Sequence, residues 1–367
     1  MNFQIQCDEL KKVLNTVIGT IPKNTPMAVM ENFLFEVNPK NVVESELTIT
    51  GSDLEIITRS KVDVEAEDKF GFLVAANLFS SLIAQLEGKQ KLFFTLKENK
   101  KLEIRSKEGK YNLSTLDVKE YPESPSPTKG REIRINGKSL KEALQFVDYA
   151  CDIKETIRPA MTGICFEHDE SGKMNLAATD SRKLAKFITE KEIEKDVSFI
   201  IPKKASDILL NILPEEEITI NYNNSYLQIE FDNTIFLTRL ISQKFPNYRD
   251  ILPTENQIIV TMDKKELLDT VKNLKKLTTL FGKMIFAFKK DEVTISVISE
   301  DANKQKVKLD CKGSAEIEIA FNPGYLIDIL SSIKESEVKF EMSTPTKAVL
   351  INSNDYTLNL VMPVRVE

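Results

Sequence analysis

The chain has 367 residues, and at roughly 150 residues per domain that length suggests two or three domains. Hydrophobic residues make up 41% and charged residues 29%, as in globular proteins with real cores. The net charge of −6, from 50 basic and 56 acidic residues, excludes tight non-specific nucleic-acid binding through bulk charge but leaves room for a local basic face.

The chain opens on "NFQIQCDELKKVLNTV", a short alternating strand leading into a helix with Leu10, Leu14 and Val17 at i, i+4 and i+7. Nothing in the start reads as a signal peptide, and no apolar run approaches the ~20 residues that span a bilayer. "LTITGSDLEIITRS" reads as antiparallel strands, and "FLVAANLFSSLIAQLE" as a second strand running into a helix. "KLEIRSK" is expected to be an edge strand, and "YNLSTLDVKEYP" a strand leading to Pro122. The stretch "ESPSPTKGRE", rich in Pro and Ser, then marks a boundary.

The order now begins again. In "EIRINGKSLKEALQFV", Ile133, Ile135, Leu140, Leu144 and Val147 repeat Phe3, Ile5, Leu10, Leu14 and Val17. "FIIPKKASDILLNILP" repeats the second strand and helix, and "IFLTRLISQKFP" the closing strand before Pro246. After a boundary near "LPTENQ" a third copy follows in "IIVTMDKKELLDTVKNL", "IAFNPGYLIDILSSIK" and "YTLNLVMP". The apolar tail from Leu358 onward is therefore the closing strand of a third copy. An α+β fold of three tandem domains is predicted, two helices on antiparallel sheets in each, over residues 1–128, 129–254 and 255–367.

Chemistry is harder to find. The lone histidine, His168, lies in the predicted hairpin turn "FEHDESGK" and has no nucleophile motif beside it. "INGKS" imitates the end of a P-loop, but Glu132 stands where the first glycine belongs; Asn136-Gly137 reads instead as the passage from strand to helix. Asp53, Asp180 and Glu300-Asp301 occupy equivalent strand ends and are expected to cap turns. The four cysteines, Cys7, Cys151, Cys165 and Cys311, are scattered without a CxxC pair, which fits a reduced cytoplasmic compartment and no zinc framework. No metal or cofactor is called for, and the sequence argues against an enzyme.

Three copies without a catalytic constellation, together with "TDSRKL", "FPNYRDILP" and a terminal "VMPVR", resemble the bacterial sliding clamps, the beta subunits of DNA polymerase III. The resemblance spans the whole length. It implies a head-to-tail homodimeric ring that encircles double-stranded DNA without regard to sequence, helices inside and sheets outside. The ring would tether the replicative polymerase, the clamp loader and other proteins carrying a clamp-binding motif. The DNA-facing set would be Lys12, Lys272 and Lys276, on helix faces turned from the core, with Lys203 and Lys204, which open a helix in the second domain. Ile104 and Leu277 are the expected dimer contacts.

The resemblance also implies an apolar pocket for partner peptides. Mapped by motif, its wall comprises Met161, Thr179, Ser181, Arg182, Leu184, Pro246, Ile251, Leu360, Val361, Met362 and Pro363, with Arg249 and Arg365 at the rim. Adaptable apolar side chains suit a pocket that must accept many partners. Here Ser181-Arg182-Lys183 replaces the usual Gly-(His or Tyr)-Arg, Asp250 stands where a base is common, and the chain runs past Arg365; these departures bear on specificity. The competing function is a scaffold that gathers proteins through the same pocket without DNA.

Overall fold

The computed structural model describes the chain except residues 42–43, 124, 126–129, 154–157, 194–196, 279–281, 299–303, 314, 353 and 366–367. The first copy contains β1 (Asn2–Gln6), α1 (Cys7–Ile18), β2 (Asn32–Pro39), β3 (Glu44–Ser52), β4 (Ile56–Glu65) and β5 (Phe70–Ala75). It continues with α2 (Ala76–Gln85), β6 (Lys91–Leu96), β7 (Lys101–Arg105) and β8 (Lys110–Leu116). The second has β9 (Arg131–Asn136), α3 (Gly137–Val147), β10 (Gly163–His168), β11 (Lys173–Thr179) and β12 (Lys183–Glu192). Then come β13 (Ser198–Pro202), α4 (Lys203–Ile212), β14 (Glu217–Tyr222), β15 (Tyr226–Phe231) and β16 (Thr234–Arg239). The third has β17 (Ile258–Asp263), α5 (Lys264–Lys275), β18 (Met284–Lys289), β19 (Glu292–Ile298) and β20 (Lys304–Asp310). It ends with β21 (Ile317–Phe321), α6 (Pro323–Ser332), β22 (Glu337–Met342), β23 (Val349–Asn352) and β24 (Thr357–Val361).

Every one of these helices follows a strand with at most one residue between, the repeat signature the sequence predicted. The apolar spacing explains why. Leu10, Leu14 and Val17 are buried on α1, as are Leu267, Val271 and Leu274 on α5, so each of these two helices turns one apolar face to the core. Asp263 caps α5 by accepting from the Glu266 amide at 2.7 Å, and Asn322 caps α6 ahead of Pro323. At Gly137 the reason for glycine is crowding. A Cβ there would stand 2.3 Å from the Pro214 carbonyl, which lies against the start of α3.

The chain packs as two compact units, Met1–Lys138 with Asp207–Leu240, and Ser139–Ser206 with Ile241–Glu367. The first holds a twelve-stranded sheet in the order β1-β6-β7-β8-β5-β2-β3-β4-β16-β15-β14-β9, with β1 also meeting β4 at Gln4 and Glu65. Its core is aromatic: Phe3 stacks on Phe94 at 4.4 Å and Phe35 on Phe72 at 5.0 Å, beneath α1 and α2. The second unit holds an eight-stranded sheet, β13-β10-β11-β12-β24-β23-β22-β17, and a four-stranded one, β20-β19-β18-β21. Phe286, Phe321 and Phe340 meet at its centre. The tail closes this unit's large sheet as expected, β24 pairing with β12 on one side and β23 on the other.

One strand departs from expectation. β7, containing "KLEIR", lies between β6 and β8 and is no edge, and Ile104 is fully buried in the first unit's core. Leu102 and Ile104 are inward-facing residues of an interior strand. The open edge belongs to β8: beyond β7 it pairs only through Thr115 and Leu116, with β5, which leaves Lys110–Ser114 without a second strand among the described residues.

Candidate functional site

The predicted pocket residues all lie in the second unit. They gather where β12 begins and β24 ends. Leu184 pairs with Leu360 and Thr179 with Leu184, so the three share one face of the sheet. Over that face Leu184, Leu360, Phe245 and Tyr248 form one apolar cluster with Ala160, Cys165, Ala177, Ile200 and Leu350, and half-buried Met362 packs against it. The arrangement is an apolar floor with a flexible thioether at its margin.

A tight turn links β11 to β12. The Asp180 carboxylate accepts from the amides of Arg182 and Lys183, both at 2.8 Å, and Ser181 takes the left-handed conformation at φ 71. Asp53 repeats the device, accepting from Glu55 and Ile56, with Leu54 at φ 78. Both aspartates are thus turn caps; the third expected cap, Glu300-Asp301, lies outside the described residues. Left-handed backbone is cheapest for glycine, which accounts for the glycine usual in the resembling family and for strain at Ser181 here. Ser181 Oγ stands 3.2 Å from Met161 Sδ, on the short helical turn Pro159–Thr162. From the other side, the Met362 amide donates to the Arg182 carbonyl at 2.8 Å. The turn therefore touches both Met161 and Met362.

Other predicted residues fall differently. Val361 is fully buried, but alternation places it on the opposite face of β24 from Leu360. Ile251 is 53% exposed, while its neighbour Leu252 packs on the cluster. Pro246 and Pro363 are half-buried, and Arg182 is exposed. Arg365 is exposed, its carbonyl receiving Lys283 Nζ at 3.1 Å. Arg249 is engaged: its guanidinium lies 3.0 Å from Glu167 and over the Tyr248 ring. Tyr248 in turn donates to Glu167 at 2.6 Å, and burial, with that carboxylate beside it, pushes the phenol well above its ordinary range. The Arg249–Glu167–Tyr248 group thus braces the wall under Pro246. Glu167, 82 positions away from Arg249, gave no sequence signal.

Of the lysines, Lys12, Lys204, Lys272 and Lys276 are exposed. Lys203 departs: it is half-buried and 2.8 Å from Asp148. Leu277, past the end of α5, is 47% exposed and open to contact. His168 ends β10, and buried Asp169 caps the hairpin that follows by accepting from Ser171 and Lys173. Among the described residues no three His, Cys, Asp or Glu gather as a metal site requires, and no helix is long and apolar enough to cross a membrane.

Solved structures of the same architecture exist. The sliding clamp of Bartonella birtlesii, bound to griselimycin, superposes with a TM-score of 0.93 at 22% identity over 100% of both chains. The DNA polymerase III beta subunit of Pseudomonas aeruginosa gives 0.92 at 23%, again over 100% of both. The fold is the one these solved sliding clamps share. Three family descriptions match in order: the DNA polymerase III beta subunit N-terminal domain over residues 1–125, its central domain over 134–247 and its C-terminal domain over 249–365. The chain belongs to the DNA polymerase III beta subunit family. Relatives named beta sliding clamp include that of Chlamydia pneumoniae, 26% identical over 370 residues that cover 100% of this chain and 99% of the relative. That of Staphylococcus aureus is also 26% identical, over 383 residues, with the same coverage.

Proposed function

We propose that this chain is a processivity clamp that closes around duplex DNA as a head-to-tail homodimer and holds polymerase, clamp loader and other replication and repair proteins through the apolar site of its second unit. It acts by retention and tethering and catalyses nothing. The carrying observation is the tandem triplication, each copy matched in order by one domain of a single family. An acidic chain suits this role, because encirclement prevents escape while weak screened contacts to phosphate allow movement along the duplex. The three clamp domains are residues 1–128, 129–254 and 255–367, and the working compartment is the cytoplasm. Closure of the pair uses two surfaces left open in the single chain, the β8 edge at Lys110–Ser114 and exposed Leu277. The peptide seat uses Leu184, Leu360, Met362 and Pro363 above the Ser181 turn. Val361 supports it from the opposite face.

The decisive experiment is topological. Loaded onto a nicked circular duplex, the protein should stay with the DNA through gel filtration and be lost once the circle is cut to a line. Equal retention on circle and line would favour ordinary DNA binding, and retention on neither would favour the scaffold reading.

A further inference from the structure

Lys183 opens β12 beside the apolar floor, yet its side chain is only 8% exposed and points to the other face of the sheet. A buried ammonium needs compensation. Here Nζ lies 2.9 Å from Asp328 Oδ2 on α6, and 5.2 Å from the ring centroids of both Tyr149 and Tyr325. Such a cage of two aromatic faces and one carboxylate fixes a long flexible side chain in one place. The cage is itself tied to the closing strand. Tyr149 donates to Asn359 Oδ1 at 2.6 Å, and Asn359 Nδ2 donates to the Ile351 carbonyl at 3.0 Å. Meanwhile the backbone around Lys183 carries the turn that touches Met161 through Ser181 and Met362 through Arg182.

We propose that Lys183 is the positioning residue of the peptide seat: its caged ammonium pins the Asp180–Lys183 turn to α6 and so sets the distance from that turn to Met362. The inference rests on the peptide-seat reading. It deepens that reading by placing the determinant of the seat's shape on the face of the sheet that partners do not touch. A seat held in its bound shape loses less freedom when a peptide enters, and that gain disappears when the pin is removed.

The test compares the full-length protein with Lys183→Leu and Lys183→Arg. Asp328 is 43% exposed, so water reaches the carboxylate left behind and the leucine variant keeps its fold. Two readings are taken: the ¹³C resonance of the Met362 methyl in the free protein, assigned by its loss in Met362→Leu, and the affinity for a fluorescent apolar peptide from the replicative polymerase. In Lys183→Leu the methyl signal should shift or broaden and affinity should fall about tenfold, the scale of lost pre-organisation, and Lys183→Arg should restore both. A leucine variant with unchanged methyl signal and wild-type affinity overturns the proposal. A methyl signal that moves in a protein whose wild type binds no peptide supports the positioning role and defeats the peptide-seat reading instead.

Discussion

At the scale of single residues, long-range ionic contacts decide more than the sequence discloses. Glu103 on β7 is 1% exposed, and three cations, Lys97, Arg105 and Lys110, lie within 2.9 Å of its carboxylate. Hydrogen bonds from Lys110, Lys97 and Arg105 lower its pKa to about 2 from the ordinary 4.5. A carboxylate depressed in the folded state contributes stability above its unfolded pKa and loses it as pH falls through the folded one. The window here runs from about 4.5 down to about 2. The urea midpoint of the wild type should therefore fall as pH is lowered through that window. In Glu103→Gln the midpoint should be lower at neutral pH and the fall shallower. Parallel pH profiles of the two proteins would show that the three cations do not act through this carboxylate. The spacing Lys97, Glu103, Arg105, Lys110 reads in one dimension as a mixed solvated face. Only the β6-β7-β8 register makes it a cluster.

Elements are more legible. Apolar residues at i, i+4 and i+7 mark α1, α3 and α5, and period-two alternation marks the closing strands, because burial of one face imposes both patterns. Less legible is what lies beside what. The sequence reading puts β7 at an edge, where the fold makes it interior, and the family resemblance puts Val361 in the pocket, where the fold turns it away. Strand order and facing depend on partners far along the chain. The tail shows how a legible element carries a functional consequence. Leu358 and Leu360 pair with β12, whereas among the described residues beyond Val361 the Met362 amide donates to Arg182, the Val364 amide donates to Ala320 and the Arg365 carbonyl accepts from Lys283. Deleting residues 362–367 removes those bonds, each worth about 1 kcal/mol, so the unit should stay folded. The same deletion strips Met362 and Pro363 from the seat, and apolar contacts of about 1.5 kcal/mol or more each should cost at least tenfold in peptide affinity. Fluorescence anisotropy and sedimentation on the truncated protein check both halves. Unchanged peptide affinity, or a protein that sediments as monomer, would make the tail a structural element alone.

At the scale of the whole molecule, an excess of six negative charges must be reconciled with the proposed encirclement of a duplex. Strong attachment would defeat sliding, so the useful arrangement is a few exposed cations against phosphate in a chain that is otherwise repelled. Lys12 on α1, Lys204 on α4, Lys272 on α5 and Lys276 at its end supply cations from both compact units. Lys203 is left out because it is half-buried against Asp148, whereas the other four are exposed. Reversing those four to glutamate should spare the fold, since exposed substitutions move stability by about 0.5 kcal/mol or less each. Peptide affinity should also be unchanged, because none of the four touches the apolar cluster. Loading onto primed circular DNA and the length of DNA made per binding event should both fall, and the deficit should deepen at low ionic strength, where the introduced carboxylates repel phosphate across a longer screening distance. The measurement is primer extension on a circular template across roughly 50 to 200 mM salt, the range over which phosphate contacts show their salt dependence. Wild-type product lengths throughout that range would mean that the duplex-facing surface lies on other residues of the chain.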